Sequence, residues 1–323
     1  MPISDKMIER ILQSAEPSVR WRALTAILGE SPNTPSVKRM RILIKQSDRT
    51  RRLLAGCTLD DVYAKWHGAH WSLVLLAELG YPVDSKELYP LREAVLNHWI
   101  AKGKNKHYVR VIDGRVRTCA SQEGNALFAT CTLGIADSRC DELAANLLQW
   151  QWNDGGWNCD KHPAAIHSSF HESISPLRGL IAYANWRNDE SARAAVIRAA
   201  ELFLSRKLYR RLTNDQIIDH HFTKLHYPSF WHYDILLGLR VLCEGGFLLD
   251  LRSQPALELL QSKMLPDGGF PCEEKWYQQT KSTLSGFSQV DWGGTSKIHA
   301  NVFVTVEALA VLQAANMLPI AKS

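Results

Sequence analysis

The sequence predicts an all-α protein in which six inner helices are wrapped by a second set of outer helices. Three observations carry that expectation. Short apolar stretches recur along the chain, each opened by a polar triplet. The triplets are Glu16-Pro17-Ser18, His70-Trp71-Ser72, Glu123-Gly124-Asn125, His171-Glu172-Ser173, His232-Tyr233-Asp234 and His299-Ala300-Asn301. Their third positions lie between 48 (125 to 173) and 67 (234 to 301) residues apart, a long-period repeat that governs the fold as a whole. The triplet-led stretches alternate with stretches of a different, amphipathic character. Strand signals are sparse.

The elements follow in order. Residues 1–56 supply N-terminal helices that close the ring, and 57–323 supply the clearer repeats, the whole of 1–323 forming one domain. The triplet-led stretches, such as 73–79 and 304–312, are apolar all round and belong where both sides are buried. Between them, 86–100, 138–150, 190–206 and 253–264 place apolar residues at helical spacing, as in Leu143, Leu147 and Trp150 or Leu257, Leu260 and Met264. Their other faces carry Arg and Glu, so one side is wet. Residues 108–112, Asp113-Gly114 and Val116 spell a single hairpin. Two outer helices end in one kind of turn, Asn153-Asp154-Gly155-Gly156-Trp157 and Pro266-Asp267-Gly268-Gly269-Phe270. There Gly supplies positive φ, Asp bonds back to the turn, and the aromatic residue packs on the next helix.

Composition narrows the function. A chain of 323 residues with 46% apolar content suffices for a sizeable core. The net charge of +5 is modest and acidic residues are spread throughout, which argues against nucleic acid as the partner. Seven Cys without disulfide-like spacing, and no signal-peptide core after Met1, point to the cytoplasm. No apolar run approaches the roughly 20 residues of a membrane span, and nothing supports contact with a membrane surface. Eleven Trp, several beside the triplets, suggest an aromatic-lined interior.

The Gln followed after a few residues by Gly-Gly-Trp or Gly-Gly-Phe resembles the repeat of squalene-hopene cyclases, oxidosqualene cyclases and protein prenyltransferase β subunits. The resemblance spans roughly residues 60–318 and, more weakly, the N-terminus. It is greatest to short stand-alone bacterial members, through Gly155–Cys159 (Gly-Gly-Trp-Asn-Cys), His167–His171 (His-Ser-Ser-Phe-His) and Trp231–Asp234 (Trp-His-Tyr-Asp). It implies a single (α/α)6 toroid, a terpenoid cyclase-like barrel around a central cavity. The chain lacks the Asp-x-Asp-Asp acid motif, Leu59-Asp60-Asp61 being the nearest string, and lacks an Asp-Asp-x-x-Asp diphosphate motif.

With inner helices roughly 8–10 Å apart, residues at their starts converge on one mouth. His70, Glu123, His171, His232 and His299 are therefore expected to face it. Three chemistries fit. Acid–base catalysis on a prenyl or other hydrophobic small molecule would use Asp234 as proton donor or base, with His232, His171, Glu123 and His70 around it. Glu172 is a further acid, and Trp71, Phe170, Trp231, Tyr233, Trp292 and His299 would bind substrate. A zinc centre, implied by the likeness to prenyltransferase β subunits and lanthionine cyclases, would take His171 and His232 with a third ligand from Cys159, His162 or His167. An anionic headgroup would dock on the basic loop of Lys102, Lys104, Lys106, His107, Arg110, Arg115 and Arg117. The loop 207–227, with Arg210, Arg211, Asp219, His220 and His221, is long enough for a lid. A non-catalytic toroid that holds a lipid or peptide stays open beside these enzymes.

Overall fold

A computed structural model describes residues 5–279 and 285–318. Among them the chain forms thirteen α-helices and one small sheet. In order these are α1 (Asp5–Leu12), α2 (Pro17–Arg22, continued by a π-helical turn Ala23–Ile27), α3 (Pro35–Gln46), α4 (Asp48–Ala55), α5 (Ala69–Glu78) and α6 (Tyr89–Gly103). The hairpin β1 (Arg110–Ile112) and β2 (Arg115–Arg117) comes next, then α7 (Ala120–Thr132), α8 (Arg139–Trp150) and α9 (Phe170–Arg187). The series ends with α10 (Glu190–Leu204), α11 (Ile235–Glu244), α12 (Gln254–Ser262) and α13 (Val302–Ala314).

The alternation of burial is as the sequence reads. α5 is buried from Ala69 through Ala77 and α13 from Phe303 through Leu312. α8 buries only Cys140, Leu143, Ala144, Leu147 and Trp150, a single helical stripe. The triplet-led helices touch in chain order, α5 to α7, α7 to α9, α9 to α11, α11 to α13 and α13 to α2. Outer helices pack across these joints, α6 on α5 and α7, α8 on α7 and α9, α12 on α11 and α13. The closest pair is α7 with α9, because both helices carry glycine at the crossing. A Cβ on Gly179 would stand 2.2 Å from the Gly124 carbonyl oxygen, so no larger residue is accommodated there. One apolar cluster runs through the described residues from Met7 to Leu318.

Local signals behave as their chemistry requires. Asp113 (φ 49°) and Gly114 (φ 70°) are both left-handed, the pairing a two-residue hairpin turn needs, and β1 pairs β2 in the register Arg110 with Arg117. The Gly-Gly turns deliver an aromatic backbone N–H to an inner-helix hydroxyl in both copies. Trp157 N donates to Ser173 Oγ at 3.0 Å and Phe270 N to Thr305 Oγ1 at 2.9 Å. Asp267 bonds within its own turn, accepting from Gly269 N. Asp154 instead reaches forward to Ser168, tying the turn to the segment before α9.

The triplets, however, do not occupy one helical position. Asp234 and Asn301 are N-caps of α11 and α13, whereas Ser72, Asn125 and Ser173 lie inside their helices. α5, α7 and α9 begin earlier relative to the repeat, so His232 and His299 precede their helices while His70 and His171 sit within theirs.

Candidate metal centre

The start of α7 is shaped by the hairpin before it. Arg117, the last residue of β2, bridges in parallel to Asn158 of the turn after α8. That bridge sets Cys119, two residues beyond Arg117, beside Cys159. α9 closes the third side: Glu172 lies in its first turn and its Oε2 accepts from Ser121 N of α7 at 3.1 Å. The two thiol sulfurs and a carboxylate oxygen of Glu172 all lie within 4.8 Å of one another, each residue being half-buried. Zinc stands about 2.3 Å from a thiolate and about 2.0–2.2 Å from a carboxylate oxygen. The soft–soft–hard character of these donors suits zinc. Three protein ligands would leave a coordination position for a bound molecule.

The Cys119 thiol is held below its ordinary value, first by its hydrogen bond with Cys159, and the same bond with burial pushes the Cys159 thiol up. Burial raises Glu172 despite its bonds from Ser121. Next to it Glu123 is fully enclosed and burial raises it as well, against the pull of Lys102. Lys102 Nζ donates to Glu123 Oε1 at 3.0 Å and Oε2 at 3.2 Å, and to the Cys119 carbonyl at 3.3 Å. A cleft of about 510 Å³ opens over these groups, lined by Tyr63, Trp99, Lys102, Arg117, Cys119 and Cys159 among others.

The other expected residues fall into several environments. His70 is buried against Tyr63, Trp71 and Trp99, its Nδ1 accepting the Trp99 indole N–H at 3.0 Å, and burial lowers it to about 3. Asp234 caps α11: Oδ1 accepts from Leu237 N at 2.7 Å, and Oδ2 from His226 N at 3.0 Å with the His226 ring 3.1 Å away. Its side chain has no exposure, so capping rather than presentation to a ligand is what its geometry serves. His232 is sandwiched between Trp231 (3.8 Å) and Trp276 (4.0 Å), and burial lowers it to about 2. His171 Nδ1 accepts from Tyr233 N at 2.9 Å, its ring 6.3 Å from that of His232, and burial lowers it to about 4.

Phe170 and Tyr233 pack on Phe203 and Phe222, and Trp292 packs between Tyr227 and Phe303. These three rings are core. Trp71 is also fully buried, against Trp66 and Phe230.

Three expectations are corrected. His299 is exposed, because α13 starts three residues later and leaves it in the preceding loop. His171, His232 and His167 do not join Cys159; among the described residues the one trio within sharing distance is Cys119, Cys159 and Glu172. His162 and His167 are exposed in the loop that leads to α9. The expected central cavity is nearly filled: between α5, α7, α9 and α11 the void is about 20 Å³, closed by the segment Tyr227–Phe230, whose Phe230 stacks on Trp66 at 3.9 Å.

Sequence reasoning missed Cys119, Tyr63, Trp66, His226 and Trp276. A signal for Cys119 existed. It and Cys159 precede consecutive triplet-led helices, the positions where a fixed scaffold presents ligands. Among the described residues no helix is long and apolar enough to cross a membrane. Comparison with protein-family models, curated proteins and solved structures returns no match.

Proposed function

We propose that the chain is a single (α/α)6 toroid related to squalene cyclases and prenyltransferase β subunits, and a zinc-dependent enzyme working at the cleft beside Cys119, Cys159 and Glu172. One observation carries the reading: two thiols and a carboxylate from three separate segments converge under an open cleft. Zinc there supplies Lewis acidity that activates a thiol or water nucleophile at neutral pH. Cys119, Cys159 and Glu172 hold it, and the Lys102–Glu123 pair supports the wall from behind. Trp99 and Tyr63 offer apolar faces to a small-molecule substrate. The seven free thiols fit a reducing compartment, and we assign the protein to the cytoplasm.

Acid-initiated cyclisation in the centre of the toroid is the second reading. The stack of Trp66 on Phe230, with Trp71 edge-on to both, favours it, since such faces stabilise cations. It requires Phe230 and its segment to withdraw, given a void of about 20 Å³.

The test is elemental analysis of untagged protein after incubation with zinc and desalting. One zinc per chain, lost in Cys119→Ser and in Cys159→Ser, is expected. Cobalt in its place should give sulfur-to-metal charge-transfer absorption. Metal that persists in the double variant Cys119→Ser/Cys159→Ser would refute the assignment.

A further inference from the structure

We infer that the cleft binds an anionic small molecule whose carboxylate or phosphate oxygens are taken by the Arg117 guanidinium. The inference deepens the reading of the cleft as the working site, but depends on no property of the metal.

Arg117 has no exposure, yet its guanidinium makes one hydrogen bond, from Nη1 to the Ala165 carbonyl at 2.6 Å. Nε and Nη2 have no protein partner, and no carboxylate pairs with the group among the described residues. A buried cation without a counter-charge is disfavoured, and elsewhere this fold avoids it. The buried guanidiniums of Arg178 and Arg240 each pair with two carboxylates. Arg117 is held in place all the same. Its backbone bridges Asn158, and its guanidinium lies over the Trp152 ring at 4.5 Å.

The surroundings point the same way. Arg117 is part of the cleft wall, with Lys102, Lys161 and His98, and no Asp or Glu lines that wall. Among the described residues, the acid that forms an ion pair with a wall cation is Glu123, already occupied by Lys102. Nε and Nη2 lie enclosed beneath the wall, so an oxyanion reaches the two-pronged face that guanidinium offers and ammonium does not once the side chains covering it shift. Trp99, Tyr63 and Tyr108 form the apolar remainder. The volume of about 510 Å³ suits a small molecule rather than a chain segment. The ligand class is therefore a compact molecule with one terminal anionic group and an aromatic or aliphatic body.

The experiment is calorimetric titration of the full chain at low ionic strength with benzoate and, separately, with inorganic phosphate, each with and without EDTA. Benzylamine is the control of matching shape and opposite charge. At least one anion should bind at one site per chain and benzylamine should not. Benzoate alone identifies a carboxylate ligand, and phosphate alone a phosphoryl one. Arg117→Lys should weaken binding by about tenfold, through loss of the second prong. Lys161→Glu, on the exposed rim, should weaken it by about fivefold through reversed charge, and serves if Arg117→Lys does not fold. Binding that persists in EDTA separates this inference from the zinc reading, since zinc analysis then fails or succeeds by itself. Two results would overturn it: neither anion binding the wild-type chain, or undiminished binding in the folded Arg117 or Lys161 variant.

Discussion

The triplet-led helices carry two buried polar regions that are built on opposite terms. Further along the helices, Arg178 of α9 pairs with Glu78 and Glu244, Arg240 of α11 with Glu78 and Glu307, and Arg22 of α2 with Glu307. Five helices, α2, α5, α9, α11 and α13, meet in a network where each charge has an opposite. Phe128 of α7 joins by lying under the Arg178 guanidinium at 3.7 Å. Burial would raise Glu78, but Arg178 and Arg240 outweigh it and hold the carboxyl down at about 2. At the helix starts the balance is reversed. Burial lifts Glu172 and Glu123, the paired thiols are split, and Arg117 lacks a counter-charge among the described residues. One region is complete without any other molecule. The other leaves Arg117 without a counter-charge among the described residues and two carboxyls raised by burial.

The largest expected effect breaks the complete region. Arg240→Ala leaves Glu78 and Glu307 short of a cation and should cost about 3–5 kcal/mol in urea unfolding. Arg117→Met, at an equally buried cation, should cost under about 1 kcal/mol, since no carboxylate is orphaned. Equal losses in the two variants would erase the distinction between the regions.

Metal comes next. At a free zinc concentration about 100 times its Kd, the folded chain should gain about 2.7 kcal/mol. Thermal unfolding with zinc and with EDTA measures this gain, which should vanish in Cys119→Ser. A zinc-dependent shift of the same size in that variant would place the metal elsewhere.

A smaller loss is expected at the α11 cap. Asp234→Ala removes the acceptor for Leu237 N and His226 N and should cost about 2 kcal/mol. Zinc content and benzoate affinity should stay unchanged. A loss of either would return Asp234 to the working site.

The smallest effect is a slope. Glu172 is raised in the folded state, so its contribution favours folding at low pH and declines as pH rises from its unfolded value of about 4.3 through the folded one. Glu78, lowered to about 2, has the opposite sign, its stabilisation being present above about 4.3 and lost as pH falls toward 2. Urea titrations between pH 4 and 7 without metal should show a steeper rise of stability with pH in Glu172→Gln than in wild type. Zinc should steepen the wild-type rise likewise, because a metal ligand must be ionised. Identical slopes in wild type and variant would remove Glu172 from the coupled group.

Much of this was legible in the sequence. All-round apolar runs beside one-sided amphipathic ones marked the fully buried and the half-exposed helices, and Asp113-Gly114 marked the hairpin. Such features are decided within a few residues, by helical periodicity and by the φ values that Gly and Asp tolerate. The ionic network also left a trace that was not read: Glu78, Arg178, Arg240 and Glu307 are charged residues within apolar helices. A lone charge in such a run implies a partner, though not which one.

The site was legible in part. Cys159 and Glu172 stood out, but their partner Cys119 did not, and the grouping of His171 and His232 with Cys159 rested on the likeness to prenyltransferase β subunits. What the sequence determined by itself was helix placement and burial pattern, because these follow from short-range patterning of apolar and polar side chains. Which thiol meets which carboxylate, which histidine is enclosed and which exposed, and which arginine lacks a counter-charge were decided by tertiary structure alone. Those relations depend on one backbone bridge from Arg117 to Asn158 and on where each helix starts. A shift of two or three residues, invisible to periodicity, turns a side chain from the mouth to the core or to the surface.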